Sequence, residues 1–118
     1  MKLLIIGSRS ITDFDLSPYI LEEVDLIISG GAAGVDRLAE ELADKRGISK
    51  LILKPDYKKY SRAAPLIRNR AMVDAADKVI AVWDGASRGC LFSIRYAKEL
   101  GKPTLVLDRN GREIDPDK

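Results

Sequence analysis

The 118-residue chain has no histidine and one cysteine, Cys90. A single thiol excludes an internal disulfide. Without imidazole, and with one thiolate at most, the donors that zinc, copper and haem sites use are missing, so neither metal nor cofactor is expected. Ser-His and Cys-His catalytic pairs are excluded for the same reason. Acid–base chemistry is left to Asp, Glu, Lys and Tyr. Aromatic residues make up only 6%, thin for a surface that stacks bases. No apolar run approaches the roughly 18 residues of a membrane span, and no leader pattern is read. A cytoplasmic, reducing setting with no membrane partner is therefore expected. The formal charge of +2 is too small to mark a nucleic-acid binder by itself.

What is present is alternation. Five short apolar runs recur: "KLLII" (2–6), "VDLII" (24–28), "KLIL" (50–53), "KVIAVW" (78–83) and "PTLVL" (103–107). Successive Ile, Val and Leu over about five residues suit strands buried on both faces. Between them, Val35, Leu38, Ala39, Leu42 and Ala43 form one helical stripe that Gly47 ends. Leu91, Ile94 and Ala97 mark another, stopped by Gly101 and Pro103. Helices with weaker stripes are expected over 15–23 and 65–76. Strand–helix alternation predicts an α/β fold: a three-layer sandwich with a mostly parallel sheet of about five strands. Residues 1–108 read as one domain. Residues 109–118 read as a polar tail or a short hairpin through a type I′ turn at Asn110-Gly111.

In such sheets ligands bind outside the carboxyl ends of the strands. There the chain places "GSRSITD" (7–13), "SGGAAGVD" (29–36), "KPDYKKYSRAAP" (54–65) and "WDGASRGC" (83–90). In the second, Ser29, Gly30, Gly31 and Gly34 bare the backbone before a helix start. That suits a phosphate, and Asp36 there either takes a sugar hydroxyl or caps the helix. The same stretch also reads as a plain strand-to-helix turn. It matches neither G-x-G-x-x-G nor the lysine-bearing phosphate loop. In "GSR", Gly7 permits a sharp exit, Ser8 offers a hydroxyl, and Arg9 reaches an anion or stays solvated.

"SRAAPLIRNRAM" carries Arg62, Arg68 and Arg70. Arg68 and Arg70 point to different sides of one helix, so at most two of the three converge on a site. Tyr57 and Tyr60 either cover a bound base or plug the core. In the fourth loop, Gly85 and Gly89 free the backbone, Ser87 and Arg88 offer donors, and Asp84 takes a ribose hydroxyl or caps the turn. Trp83 reads as packing and Cys90 as a small core residue, since no base accompanies it.

The pieces "GSR" (7–9), "SGGAAGVDRLAE" (29–40), "YSRAAPLIRNRAMVDAADKVIAVWDGASRG" (60–89) and "GKP" (101–103) resemble the SLOG superfamily. This Rossmann-like group joins the Lonely-guy phosphoribohydrolases to the DNA-processing protein A family. More closely, the chain resembles a small single-domain bacterial branch related to the YspA proteins. The resemblance implies a Rossmann-like fold, a nucleotide or nucleotide-derived ligand, and pairing into a homodimer. Lonely-guy enzymes cleave a nucleotide N-glycosidic bond with an Arg, whose place Arg68 takes, and a Glu. At the glutamate's position this chain has Ser93, and Cys90 stands where Thr is expected. Serine can neither activate water at neutral pH nor stabilise an oxocarbenium ion. A binding domain is therefore the first expectation. A hydrolase or transferase working through Asp36 or Asp84 comes second. Single-stranded DNA binding through Lys58, Lys59, Arg62, Arg68 and Arg70 comes third.

Overall fold

Four residues in the middle of the first apolar run, Leu3 to Ile6, are almost wholly removed from solvent. They belong to β1 (Lys2–Gly7), the centre of a five-stranded sheet with β2 (Leu26–Ser29), β3 (Ser49–Ile52), β4 (Lys78–Val82) and β5 (Thr104–Leu107). This computed structural model describes residues 1–117. The strand order is β3-β2-β1-β4-β5, and all four pairings are parallel.

Strand alternation divides the core in two. Leu3 and Ile5 join Ile27, Ile80 and Val82 on one face. That face is covered by Val35, Ala39 and Ala43 of α1 (Val35–Arg46) and by Ile11, Leu16, Ile20 and Val24. Leu4 and Ile6 join Ile28, Val79 and Ala81 on the other. There they meet Met72 and Val73 of α3 (Ala64–Ala75) and Ile94 and Ala97 of α4 (Arg88–Glu99). Each Val, Leu, Ile or Met side chain among them contributes about 1.5–3 kcal/mol by its burial. Gly47 ends α1 in the left-handed conformation at φ 68, as a C-terminal glycine does. Lys102 closes α3 by donating its ammonium to the Val73, Asp74 and Ala76 carbonyls.

Three local expectations are corrected. Residues 15–23 hold only a 3₁₀ turn at Ser17–Tyr19, although Leu16, Ile20 and Val24 bury their side chains as a stripe would. The Asp15 carboxylate accepts the Ser17 N–H at 2.9 Å, and Ile20 is extended at φ −99, ψ 97, which ends the turn. Nor is β3 buried on both faces. All four of its residues are exposed, because it is an edge strand and contributes no residue to either buried cluster. The turn at Asn110-Gly111 is not type I′, which needs positive φ at both central residues. Only Gly111 has it (φ 81), and the Gly111 N–H bonds the Asp108 carbonyl at 3.0 Å. Past this turn the chain runs back along β5, with an antiparallel bridge between Leu107 and Glu113. Among the described residues no helix is long and apolar enough to cross a membrane.

Between β3 and α3 the chain makes one helical turn, α2 (Tyr57–Tyr60), and a 3₁₀ turn, Ser61–Ala63.

Candidate functional site

The strand order places a topological switch beside β1. The chain steps outward from β1 to β2 and β3, then crosses back to lay β4 on the other side of β1. Loops leaving β1 and β4 therefore part, and open α/β sheets bind ligands in that crevice. Here the crevice is a cleft of about 540 Å³. Gly7, Arg9 and Ser10 line it from the β1 loop, Ala32 and Asp36 from the start of α1, and Pro65, Arg68, Asn69 and Met72 from α3. Asp84, Ala86, Ser87, Gly89, Cys90 and Ser93 close the far side, and Ile6, Met72 and Cys90 give it an apolar share.

The two loops at the switch are stitched together. Buried Ser8 accepts the Asp84 N–H on its hydroxyl at 2.9 Å, and Ser10 donates its hydroxyl to the Asp84 carboxylate at 2.8 Å. That carboxylate also accepts the Ala86 and Ser87 N–H groups at 2.8 and 2.9 Å. These N–H donors, then the Ser10 hydroxyl, hold its pKa far below the ordinary carboxylate range. Asp84 is thus a fixed anion that organises a turn. Ser87 caps α4 by accepting the Cys90 N–H at 3.3 Å. The Trp83 indole donates to the Ser87 carbonyl at 2.9 Å while its ring packs on the core.

Asp36 behaves oppositely. It is buried, and its carboxylate accepts the Ala32 N–H at 3.2 Å, folding back onto the glycine loop rather than capping α1. Burial pushes its pKa up and neighbouring Glu40 adds to that, while the Ala32 N–H and Arg68 pull against it. Arg68, half-buried, is pinned at several points. Its Nη1 donates to the Gly30 carbonyl at 2.7 Å and the Leu53 carbonyl at 3.2 Å, and its Nε donates to Asn69 Oδ1 at 2.8 Å. Nη2 makes no hydrogen bond among the described residues. Desolvation lowers the pKa of Arg68, and Asp36 offsets part of the shift.

The glycines of the β2–α1 loop face protein. A Cβ on Gly30 would lie 2.9 Å from Arg68 Nη1 and 3.0 Å from Asp36 Oδ2. At Gly34, which has φ +75, it would lie 2.5 Å from the Ser8 carbonyl oxygen and 2.7 Å from Arg9 Cα. Gly31 lies against Ile52 and Lys54. Ser29 is buried and donates its hydroxyl to Glu40 at 2.7 Å. At Gly7 a Cβ would meet the Val82 carbonyl at 2.6 Å.

Other candidates lie elsewhere. Arg70 stacks on Phe92 and Tyr96, 5.8 and 5.4 Å from their ring centres, and does not line the cleft. Arg62, Gly85 and Arg88 are exposed and do not line it either. Tyr57 and Tyr60 are exposed on α2, so neither plugs the core. Cys90 is buried at the cleft wall, and burial pushes its thiol up to about 12, which leaves it unreactive at neutral pH. Buried Ser93 donates its hydroxyl to the Gly89 carbonyl at 3.1 Å. Among the described residues no three His, Cys, Asp or Glu side chains gather as a metal cage.

Two participants escaped sequence reasoning. Ser10 carried no signal beyond its loop. Asn69 did carry one, because it shares a stripe with Met72, Val73 and Ala76, and an amide in a core stripe needs partners.

The fold and the switch-point cleft define a Rossmann-like α/β domain. No protein-family model and no curated protein matches the chain. Among solved structures it is similar to the X-ray structure of TM1055, a structural genomics target. The TM-score is 0.62 at 19% identity, over 87% of this chain and 71% of that one. Likeness at that identity shows the shared α/β fold.

Proposed function

We propose that the chain is a SLOG-type domain that binds a nucleotide or nucleotide-derived molecule in the switch-point cleft. One observation carries this reading: Arg68 enters the cleft with Nη1 and Nε committed to protein and Nη2 uncommitted. A guanidinium fixed in this way suits a phosphate oxygen. Arg9 lines the same cleft, and so do Ser87 and Gly89 at the start of α4, where N–H groups and the helix dipole favour an anion. The apolar surfaces of Ile6 and Met72 suit the less polar part of such a ligand. In this reading the phosphate sits toward α4 and Arg68, since Gly30 and Gly34 are covered by protein.

The test is thermal unfolding against AMP, cyclic AMP, ADP-ribose, NAD and a short single-stranded oligonucleotide. A ligand at 100 times its Kd stabilises by about 2.7 kcal/mol, a shift of several degrees in a domain of this size. A shift with one nucleotide that Arg68→Ala abolishes supports the reading. A flat response across the panel overturns it. A shift with the oligonucleotide alone, lost steeply with salt, points instead to DNA binding through Lys58, Lys59 and Arg62.

A second reading, an N-glycoside hydrolase, is favoured by the buried Asp36 carboxylate at the cleft, whose raised pKa suits proton transfer. Release of free base from the bound nucleotide, abolished in Asp36→Asn while binding persists, would establish it.

A further inference from the structure

Asn69 is a polar residue in an apolar stripe. It is 8% exposed and shares its helix face with Met72, Val73 and Ala76, each 3% exposed or less. A buried amide without partners destabilises the fold, so what it bonds is informative. Its Oδ1 accepts Arg68 Nε at 2.8 Å, and its Nδ2 donates to the Gly89 carbonyl at 3.4 Å. Neighbouring residues on a helix do not face one another, so the Arg68 guanidinium must fold back along α3 to meet this oxygen. Together with the Gly30 and Leu53 carbonyls on Nη1, that contact fixes the plane of the guanidinium. Gly89 lies in the first turn of α4, the opposite wall of the cleft.

We infer that Asn69 is a positioning residue, which sets the plane of the Arg68 guanidinium and ties it to the first turn of α4. The arginine and the helix start then receive an anion as one rigid unit. The inference deepens the nucleotide reading above and rests on it for its ligand, while its geometric half stands apart from any ligand. An apolar residue would fill the same stripe equally well, whereas the amide both accepts from the arginine and donates across the cleft.

The experiment follows the arginine Nε–H signals of the full chain by ¹⁵N NMR, with the Arg68 signal assigned by its absence in Arg68→Lys. In the unsubstituted protein this proton is expected to exchange slowly with water. Asn69→Ala makes it exchange at the rate of the exposed arginines. Asn69→Asp, which keeps the accepting oxygen, keeps it slow and serves as the second variant should Asn69→Ala fold poorly. Exchange unaffected by Asn69→Ala, or fast in Asn69→Asp, overturns the inference.

Calorimetry with AMP and with adenosine supplies the functional half. Asn69→Ala is expected to weaken AMP about tenfold, the loss of one hydrogen bond to a charged group, and to leave adenosine unchanged. Asn69→Asp fails to restore AMP, because its carboxylate cancels the arginine's charge. Equal losses for AMP and adenosine overturn the positioning role. If the unsubstituted protein binds neither probe, the AMP form of the nucleotide reading falls, and the exchange rates alone decide the role of Asn69.

Discussion

Two glycine-bearing loops run into helices at the same end of the sheet, and they are built on different principles. Before α1, the chain removes side chains so that other parts of the protein can press against its backbone. Arg68 and Asp36 close over Gly30, and the Ser8–Arg9 backbone crosses Gly34. The helix itself has no side-chain cap. Before α4, side chains do the organising. Asp84 collects the Ala86 and Ser87 N–H groups, and Ser87 caps the helix. Gly85 faces open space, and a Cβ on Gly89 would meet only Asn69 Nδ2 at 3.7 Å. Identical residue types thus mark a crowded joint in one loop and an open rim in the other. Glycine by itself does not say which of the two it marks.

Substitutions can break this contrast. The largest effect is expected from Gly34→Ala. Its methyl would meet backbone at 2.5 Å at a positive φ that residues with side chains rarely adopt, so a loss of more than about 3 kcal/mol, or failure to fold, is expected in denaturant unfolding. Gly30→Ala pushes the Arg68 guanidinium off its hydrogen bonds but meets side-chain ends rather than backbone, so stability should fall by only about 1–2 kcal/mol. Under the nucleotide-binding proposal, affinity for AMP should fall further, as calorimetry would show. If Gly34→Ala folds normally, the crowded-joint account fails.

Asp36 sharpens the contrast through pH. Its folded pKa lies above the ordinary value of 3.8, so its ionised form opposes folding at neutral pH. That opposition fades as pH falls through the folded value and is gone below the unfolded one. Asp36→Asn should therefore raise the unfolding midpoint at pH 7, with the gain vanishing in acid. Asp84, whose pKa is depressed, gives the opposite sign: its contribution is present above the ordinary carboxylate range and is lost on acidification. The smallest effect belongs to Gly89→Ala. It adds an ordinary contact within a helix and should stabilise by about 0.5–1 kcal/mol, measured by thermal unfolding.

The strands and the longer helices could be read from composition because their signals are local. Val35 to Ala43 repeat at the helical period and Gly47 stops the helix, while Leu3–Ile6 carry the sheet's centre. Residues 15–23 misled because Leu16, Ile20 and Val24 keep a spacing of four, which a chain folded irregularly over a sheet can also satisfy. Burial of β3 was illegible because a Lys-Leu-Ile-Leu run looks the same at an edge as at the centre. For the site, position could be read from the alternation of elements, since the crevice follows from strand order. Its wiring could not. Nothing local says that Arg70 turns outward onto Phe92 and Tyr96, or that Ser10 reaches Asp84, seventy-four residues away.

The pairing of β1 with β4 joins Leu3 to Lys78 and Gly7 to Val82. A growing polypeptide can lay β2 beside β1 and β3 beside β2 early, but it must reach residue 82 before β1 gains its second neighbour. The cleft is thus completed only once residue 93 has joined the chain, and long-range closure of this kind is slow. Two fragments divided in the exposed stretch 57–63 would each carry part of its walls. Reunion of such a split pair would rebuild the cleft from two separate chains, a property suited to complementation sensors.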